Sequence, residues 1–239
     1  MKRRPALKVT YIHHSGFFVH QEHACFLFDY WTGPLPEPLE LPLFIFVSHG
    51  HGDHFTPAVL DYGKKWKNVH WILSDDIGPG CLPAELTPYV TIATADNKYA
   101  VSLGGTGITF STLRSTDIGN AYLIHSGDKT LYHAGDLHLW LWRENPQEDR
   151  NMQDAFEKEM EKLCGLTIDA AFLPLDPRQR RDAFLGLDYT VRLADVKRIY
   201  PMHFWQKFSI ISDLLADHCS EPYRSRICPI RKDGYTDEI

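Results

Sequence analysis

The chain has 239 residues, 44% hydrophobic and 23% charged, with 25 Lys+Arg against 31 Asp+Glu and a formal net charge of −6. That composition excludes disorder, coiled coil and collagen, and a chain of this length buries roughly 70% of its unfolded surface without a disulfide or structural-metal staple. The acidic balance speaks against a nucleic-acid binder, which carries a basic face; the short clusters Lys2-Arg3-Arg4 and Arg178-Gln179-Arg180-Arg181 read as solvated surface charge.

The length is about 1.6 times the ~150-residue domain unit, which fits one large domain over residues 1–239. Cys25, Cys81, Cys164, Cys219 and Cys228 form no C-x-x-C pair and indicate a reducing compartment. Lys8, His13 and His14 interrupt anything like a signal h-region, and the apolar stretch Leu39–Val47 falls far short of the ~20 residues of a membrane helix. The expectation is a cytoplasmic protein with a small-molecule substrate and neither nucleic acid nor membrane as partner.

In chain order, Leu7–His13, Gly16–His20 and Ala24–Tyr30 read as strands, short and rich in β-branched or aromatic residues. A Pro-rich connector, residues 33–38, leads to Leu43–Val47, the pattern of a strand covered on both faces. It ends in Ser48-His49-Gly50-His51-Gly52-Asp53-His54, after which Thr56 as N-cap and Pro57 at the first helical position predict a helix to about Lys65. Val69–Ser74 is another buried strand. A meander is predicted over Tyr89–Ala93, Tyr99–Leu103, Ile108–Leu113, Ala121–His125 and Thr130–His133. Helices then alternate with strands: a helix over Asp149–Leu163, a strand over Ile168–Leu173, a helix near Tyr189–Val196, a strand over Arg198–Met202, a helix over Ser209–His218 and a last strand near Arg226–Ile230. Two packed sheets flanked by helices accommodate this order.

The strongest chemical signal is His49-x-His51-x-Asp53-His54, with four ligand-capable side chains immediately after a buried strand. Glycines 50 and 52 remove side chains where the loop must fold tightly round a small object. His49 and His51, two apart in an extended loop, project the same way and can share one ion; Asp53 and His54 can turn towards a second. Imidazole with carboxylate suits zinc, with manganese or iron as alternatives. Asp136 follows an apolar strand and a glycine, and His203 follows Ile199–Met202, so either is a ligand candidate or an ordinary turn or core residue.

The His49–His54 segment resembles the signature of the metallo-β-lactamase-fold hydrolases. Leu131-Tyr132-His133-Ala134-Gly135-Asp136 is similar to the segment whose aspartate bridges two metals in that superfamily, and Tyr200-Pro201-Met202-His203 to the one supplying its final histidine. His14-Ser15-Gly16-Phe17 with Leu27-Phe28-Asp29 is similar to the branch of ascorbate-6-phosphate lactonase-like and phospholipase-D-like members. The resemblance covers nearly the whole chain. It implies an α+β fold, a four-layer αββα sandwich, with a dimetal site at one edge of the sheets. It also implies that His49 and His51 hold the first metal, that Asp53, His54 and His203 hold the second, and that Asp136 bridges.

The family's third histidine for the first metal is missing, because residues 112–119 read Thr-Leu-Arg-Ser-Thr-Asp-Ile-Gly. Asp117 either replaces it or turns the chain towards Gly119. His133 and His138 flank Asp136 as supporting or substrate-facing candidates. Trp140, Trp142 and Trp205 are core residues or an apolar wall near the metals, and Arg178 is a surface arginine or a clamp for a phosphate or carboxylate.

The expected activity is that of a metal-dependent, binuclear hydrolase whose metal-bound hydroxide cleaves an ester, lactone or phosphodiester bond. Asp53 would orient that hydroxide and take up its proton, and His133 or His14 would protonate the leaving group. The contrasting expectation is a degenerate metal-binding scaffold without catalysis, supported only by the missing histidine. A nuclease is disfavoured by the lack of a basic stripe.

Overall fold

The computed structural model describes residues 7–78, 80 and 82–239, so the Lys2-Arg3-Arg4 cluster and Cys81 lie outside the described residues. The chain opens with β1 (Lys8–His13), β2 (Gly16–Gln21) and β3 (Ala24–Phe28), then β4 (Leu43–Val47), α1 (Ala58–Gly63), β5 (Val69–Ser74) and β6 (Val90–Ala93). Next come β7 (Lys98–Leu103), β8 (Thr106–Arg114), β9 (Asn120–Ser126), β10 (Lys129–His133), α2 (Pro146–Met160), β11 (Thr167–Pro174), α3 (Leu185–Leu193), β12 (Asp195–Met202), α4 (Ser209–Ala216) and β13 (Thr236–Glu238).

These strands form a seven-stranded sheet in the order β13-β1-β2-β3-β4-β5-β6 and a six-stranded sheet in the order β12-β11-β10-β9-β8-β7. β3, β4, β5 and β6 run parallel, and β3 and β4 are buried at every residue, as parallel strands covered on both faces must be. Aromatic rings fill the space between the sheets: Phe17 and Phe28 meet Phe172 at 4.6 and 5.4 Å, and Phe46 meets Tyr122 at 5.1 Å. Outside the first sheet, Ile45, Leu43 and Leu27 pack against Val59, Leu60 and Trp66 of the α1 region. Outside the second, Phe156, Leu187, Val191 and Leu214 supply the apolar faces of α2, α3 and α4. The result is the αββα sandwich. Among the described residues no helix is long and apolar enough to cross a membrane.

Several elements differ from the sequence reading; α2 spans Pro146–Met160 instead of Asp149–Leu163, its first turn capped by Asn145, and α4 ends at Ala216. β6 is no part of the meander; it pairs parallel to β5 at the edge of the first sheet, and β7–β10 alone form the antiparallel run. α1 starts at Ala58, and Thr56 makes no side-chain cap. α3 starts earlier than Tyr189, because Gly186 lets its first turn press onto His138, whose Nδ1 lies 2.5 Å from where a Cβ would stand. Residues 226–230 contribute one isolated bridge, Ile227 to Ile199, and the last strand is β13.

Candidate metal centre

The carboxyl ends of β4, β8, β10 and β12 and the turn between β1 and β2 meet at one edge of the two sheets. Two glycines allow the loops to close on each other. A Cβ at Gly119 would stand 2.1 Å from the Ser48 carbonyl, and one at Gly135 would stand 2.6 Å from the Ser48 Cβ; both have positive φ, +77° and +55°. Only glycine permits both the left-handed backbone and this approach, and together they bring the Asp117 and Asp136 loops onto the His49 loop. Gly52 plays no such part: a Cβ there would meet nothing within 4 Å, so the expected tight fold at that position is corrected. On the other side, the His203 N–H donates to the His14 carbonyl at 3.1 Å, tying the end of β12 to the β1–β2 turn.

The side chains that converge there carry ligand atoms within 4.8 Å of one another in three overlapping groups: His14, Asp53, His54 and His203; His49, His54 and Asp136; and His51, Asp117 and Asp136. Asp136 sits at the centre. Its Oδ1 lies 3.2 Å from His54 Nε2 and 3.5 Å from His203 Nε2, and its Oδ2 lies 3.6 Å from His49 Nε2. His51 Nδ1 is 3.1 Å from His49 Nε2 and 3.8 Å from Asp117 Oδ2. Asp117 therefore stands beside His51 and Asp136 on the exposed side of the cluster. His14 Nε2 lies 3.3 Å from Asp53 Oδ2, so His14 stands inside the cluster as a ligand-capable group.

The donor set fits a metal. His54 Nε2, Asp136 Oδ1 and both ring nitrogens of His14 are buried with no hydrogen-bond partner among the described residues, although carboxylate oxygens stand close by. Buried polar atoms left unpaired cost about 1–3 kcal/mol each; a shared cation is the partner that suits imidazole nitrogens and carboxylate oxygens pointing at one place.

Electrostatics agree with this. Burial alone would raise the Asp136 carboxyl, but His54, His203 and His49 outweigh it and hold it lowered. Burial likewise works against charge on His54, and Asp136, Asp29 and Asp53 lift it to about 9. Burial pushes His14 down to about 4 against the pull of Asp53, and His138 down to about 4.

Two carboxylates absent from the expected site organise it from behind. Fully buried Asp29 accepts from the Ser48 N–H at 2.7 Å and the Ser48 hydroxyl at 2.6 Å, and its Oδ2 lies 2.8 Å from His54 Nδ1. Asp176 Oδ2 lies 2.9 Å from His203 Nδ1 and accepts from Arg178 Nη2 at 2.6 Å and Trp205 Nε1 at 3.1 Å. A carboxylate on the far nitrogen fixes the tautomer and aims the near nitrogen. Leu27-Phe28-Asp29 and Arg178 stand out in the sequence, but nothing there links Asp29 or the nearby Asp176 to a histidine.

His133 is a correction. Its Nε2 lies 3.0 Å from the Ser15 carbonyl, its Nδ1 accepts from the Gly135 N–H at 3.2 Å, and its ring stacks on Phe28 at 4.9 Å. With both nitrogens engaged between the sheets it cannot protonate a leaving group. His138 is buried against Trp140, with ring centroids 4.8 Å apart, and does not face the open side.

A family model described as the beta-lactamase superfamily domain matches residues 8–153, more than half of the chain. The chain belongs to the metallo-β-lactamase superfamily. This metallo-β-lactamase-fold protein is 26% identical over 212 residues to a UPF0173 metal-dependent hydrolase of Desulforamulus reducens, across 83% of this chain and 84% of the other. It is also 26% identical over 211 residues to one from Alkaliphilus metalliredigens, with coverage of 83% and 85%. In fold it is similar to Igni18, a metallo hydrolase from Ignicoccus hospitalis, with a TM-score of 0.66, 17% identity and 98% of each chain covered.

The buried histidines give the metal-free protein a defined pH response. Folded His14 and His138 stay neutral down to about 4, whereas an unfolded histidine takes a proton near pH 6.5, so the unfolded state binds more protons between the two values. Folded His54 keeps its proton up to about 9; that contribution is complete below about pH 6.5 and is lost as pH rises through 9. After chelation, urea midpoints are expected to peak near pH 6.5–7 and fall in both directions. A flat profile from pH 4.5 to 9 contradicts this assignment.

Proposed function

We propose that this chain is a metal-dependent hydrolase that cleaves an ester, lactone or phosphodiester bond of a small molecule, with two divalent ions held by the converging cluster. The observation that carries this reading is the set of buried, mutually facing and unpaired donors on His14, His54 and Asp136. On this reading Asp136 is shared, His49, His51 and Asp117 stand on one side of it, and Asp53, His54 and His203 on the other. Zinc suits this imidazole-rich set, and Asp117 adds an oxygen that manganese or iron also accepts.

A divalent ion, when bound, lowers the pKa of a water ligand from 15.7 to roughly 7 and polarises the oxygen of the group attacked. The residues do the rest. Asp53 is a partly exposed carboxylate beside His14 and His54, its side chain 23% accessible, and it is placed to orient water and accept its proton. His14 Nε2, 3.3 Å from Asp53 Oδ2, can hold or pass on that proton. Because burial keeps His14 neutral at pH 7, it reaches the leaving group as an acid only after Asp53 has passed it the proton. Asp29 and Asp176 keep His54 and His203 aimed.

Elemental mass spectrometry of protein purified without chelator or histidine tag, paired with turnover on a panel of lactones, esters and phosphodiesters, tests the proposal. About two metal equivalents and metal-dependent turnover are expected. Protein that neither retains nor rebinds zinc, manganese or iron is the degenerate scaffold instead. Within the site, Asp117→Asn is expected to weaken the ion on the His51 side by about tenfold or more while the other is retained; equal loss of both ions removes Asp117 from its assigned place.

A further inference from the structure

At the His203 side of the cluster, an exposed aromatic and cationic wall is built with a precision that metal ligation does not require. Trp205 has φ +50°, and His203 has φ +61°. A bulky residue in the left-handed region is a genuine outlier that costs about 1–3 kcal/mol. Trp205 is also 37% exposed, so burial does little to offset that strain. What holds it is its Nε1 on Asp176, and its ring lies 4.5 Å from that of His14.

Arg178 completes the wall. Its guanidinium carbon lies 4.9 Å from the Trp205 ring centroid and 5.8 Å from those of both Trp140 and Trp142. Trp140 is fixed through its Nε1 to the Asp136 carbonyl at 3.0 Å, and Trp142 stacks on it at 6.0 Å while remaining 51% exposed. The Nε and Nη2 of Arg178 are forked onto Asp176, whereas Nη1 has no hydrogen-bond partner among the described residues. The edge between Nη1 and the second Nη2 hydrogen is thus open on a rigid, half-exposed head. Arg178 Nη2 and His203 Nδ1 share Asp176 Oδ2, at 2.6 and 2.9 Å, which puts this guanidinium beside the His203 side of the cluster.

A guanidinium with one edge pinned and the other open presents a fork that matches a carboxylate or phosphate. Indole faces beside it accept an apolar or aromatic body. We propose that Arg178, walled by Trp205 and Trp142, recognises an oxyanion on the substrate, so that the substrate class is an anionic small molecule whose apolar portion lies against Trp205. This deepens the hydrolase reading and rests on it for the position of the scissile bond over the cluster.

Metal-replete protein titrated with phenyl phosphate and with 3-phenylpropionate, followed by tryptophan fluorescence, tests the assignment at matched metal content in the parent, Arg178→Gln and Arg178→Lys. Quenching by at least one probe is expected in the parent, and which one binds tells phosphate from carboxylate. Affinity is expected to fall about tenfold or more in Arg178→Gln and to be partly restored in Arg178→Lys, which keeps the charge without the fork. Trp205→Leu is expected to weaken both aryl probes more than it weakens inorganic phosphate. Binding of both probes by Arg178→Gln as by the parent overturns the proposal, as does equal affinity of the parent for neutral 2-phenylethanol. Because the titration needs no turnover, an Arg178-dependent signal without hydrolysis of any ester, lactone or phosphodiester defeats only the reaction assigned above. Turnover with no Arg178 dependence defeats only the recognition site.

Discussion

Replacement of Asp136 by alanine is expected to abolish turnover and strip most of the bound metal in one step. Its carboxylate faces three imidazoles: one oxygen stands 3.2 and 3.5 Å from His54 and His203, and the other 3.6 Å from His49. It also belongs to the group formed with His51 and Asp117. Loss of an outer hydrogen-bond partner costs roughly 10–100-fold in metal affinity or activity. Loss of the carboxylate shared by both sides is therefore expected to exceed that range, and to affect both ions, unlike Asp117→Asn. The charge matters as well as the contacts, because Asp136 leads the groups that lift His54 against its burial. Asp136→Asn, which preserves the shape, is accordingly expected to lose metal nearly as completely as Asp136→Ala. Metal content by elemental mass spectrometry, beside activity, is the check; a fully loaded, active Asp136→Ala protein removes the shared-carboxylate assignment.

The parts of this centre that could be read from the sequence are those whose ligand-capable side chains lie close together or at strand ends. His49, His51, Asp53 and His54 fall within six residues after a strand whose apolar run is unbroken, so density and placement sufficed. Asp136 and His203 needed the family resemblance, since one aspartate after a glycine and one histidine beside Phe204 and Trp205 are ordinary features by themselves. His133 was misread because proximity in sequence to Asp136 says nothing about direction: side chains along a strand alternate between faces, and the last residue of β10 points between the sheets onto Phe28. Asp29 and Asp176 could not be assigned, because their histidines lie 25 and 27 positions away and meet them only through sheet pairing. The same holds for the Arg178 wall, in which three tryptophans converge from two distant segments.

Asp29 tests whether these supporting carboxylates matter as much as the ligands. It is fully buried, and burial alone would raise its carboxyl; His133, His54 and His49 together hold it down at about 2. Its negative charge is thus set among imidazoles, and Asp29→Ala withdraws it while leaving the Ser48 N–H, the Ser48 hydroxyl and His54 Nδ1 without their acceptor. Removing one partner from a buried charged network destabilises by about 3–5 kcal/mol, so the urea midpoint is expected to fall sharply. Asp29→Asn keeps the volume and an acceptor oxygen for Ser48, and is expected to recover much of that stability. It lacks the charge that supports His54, so its metal affinity is still expected to be about 10–100-fold below the parent. The separation of the two readouts is the decisive point: a carboxylate that served only packing would let the asparagine restore both, whereas one that aims and polarises His54 lets it restore the fold and not the metal.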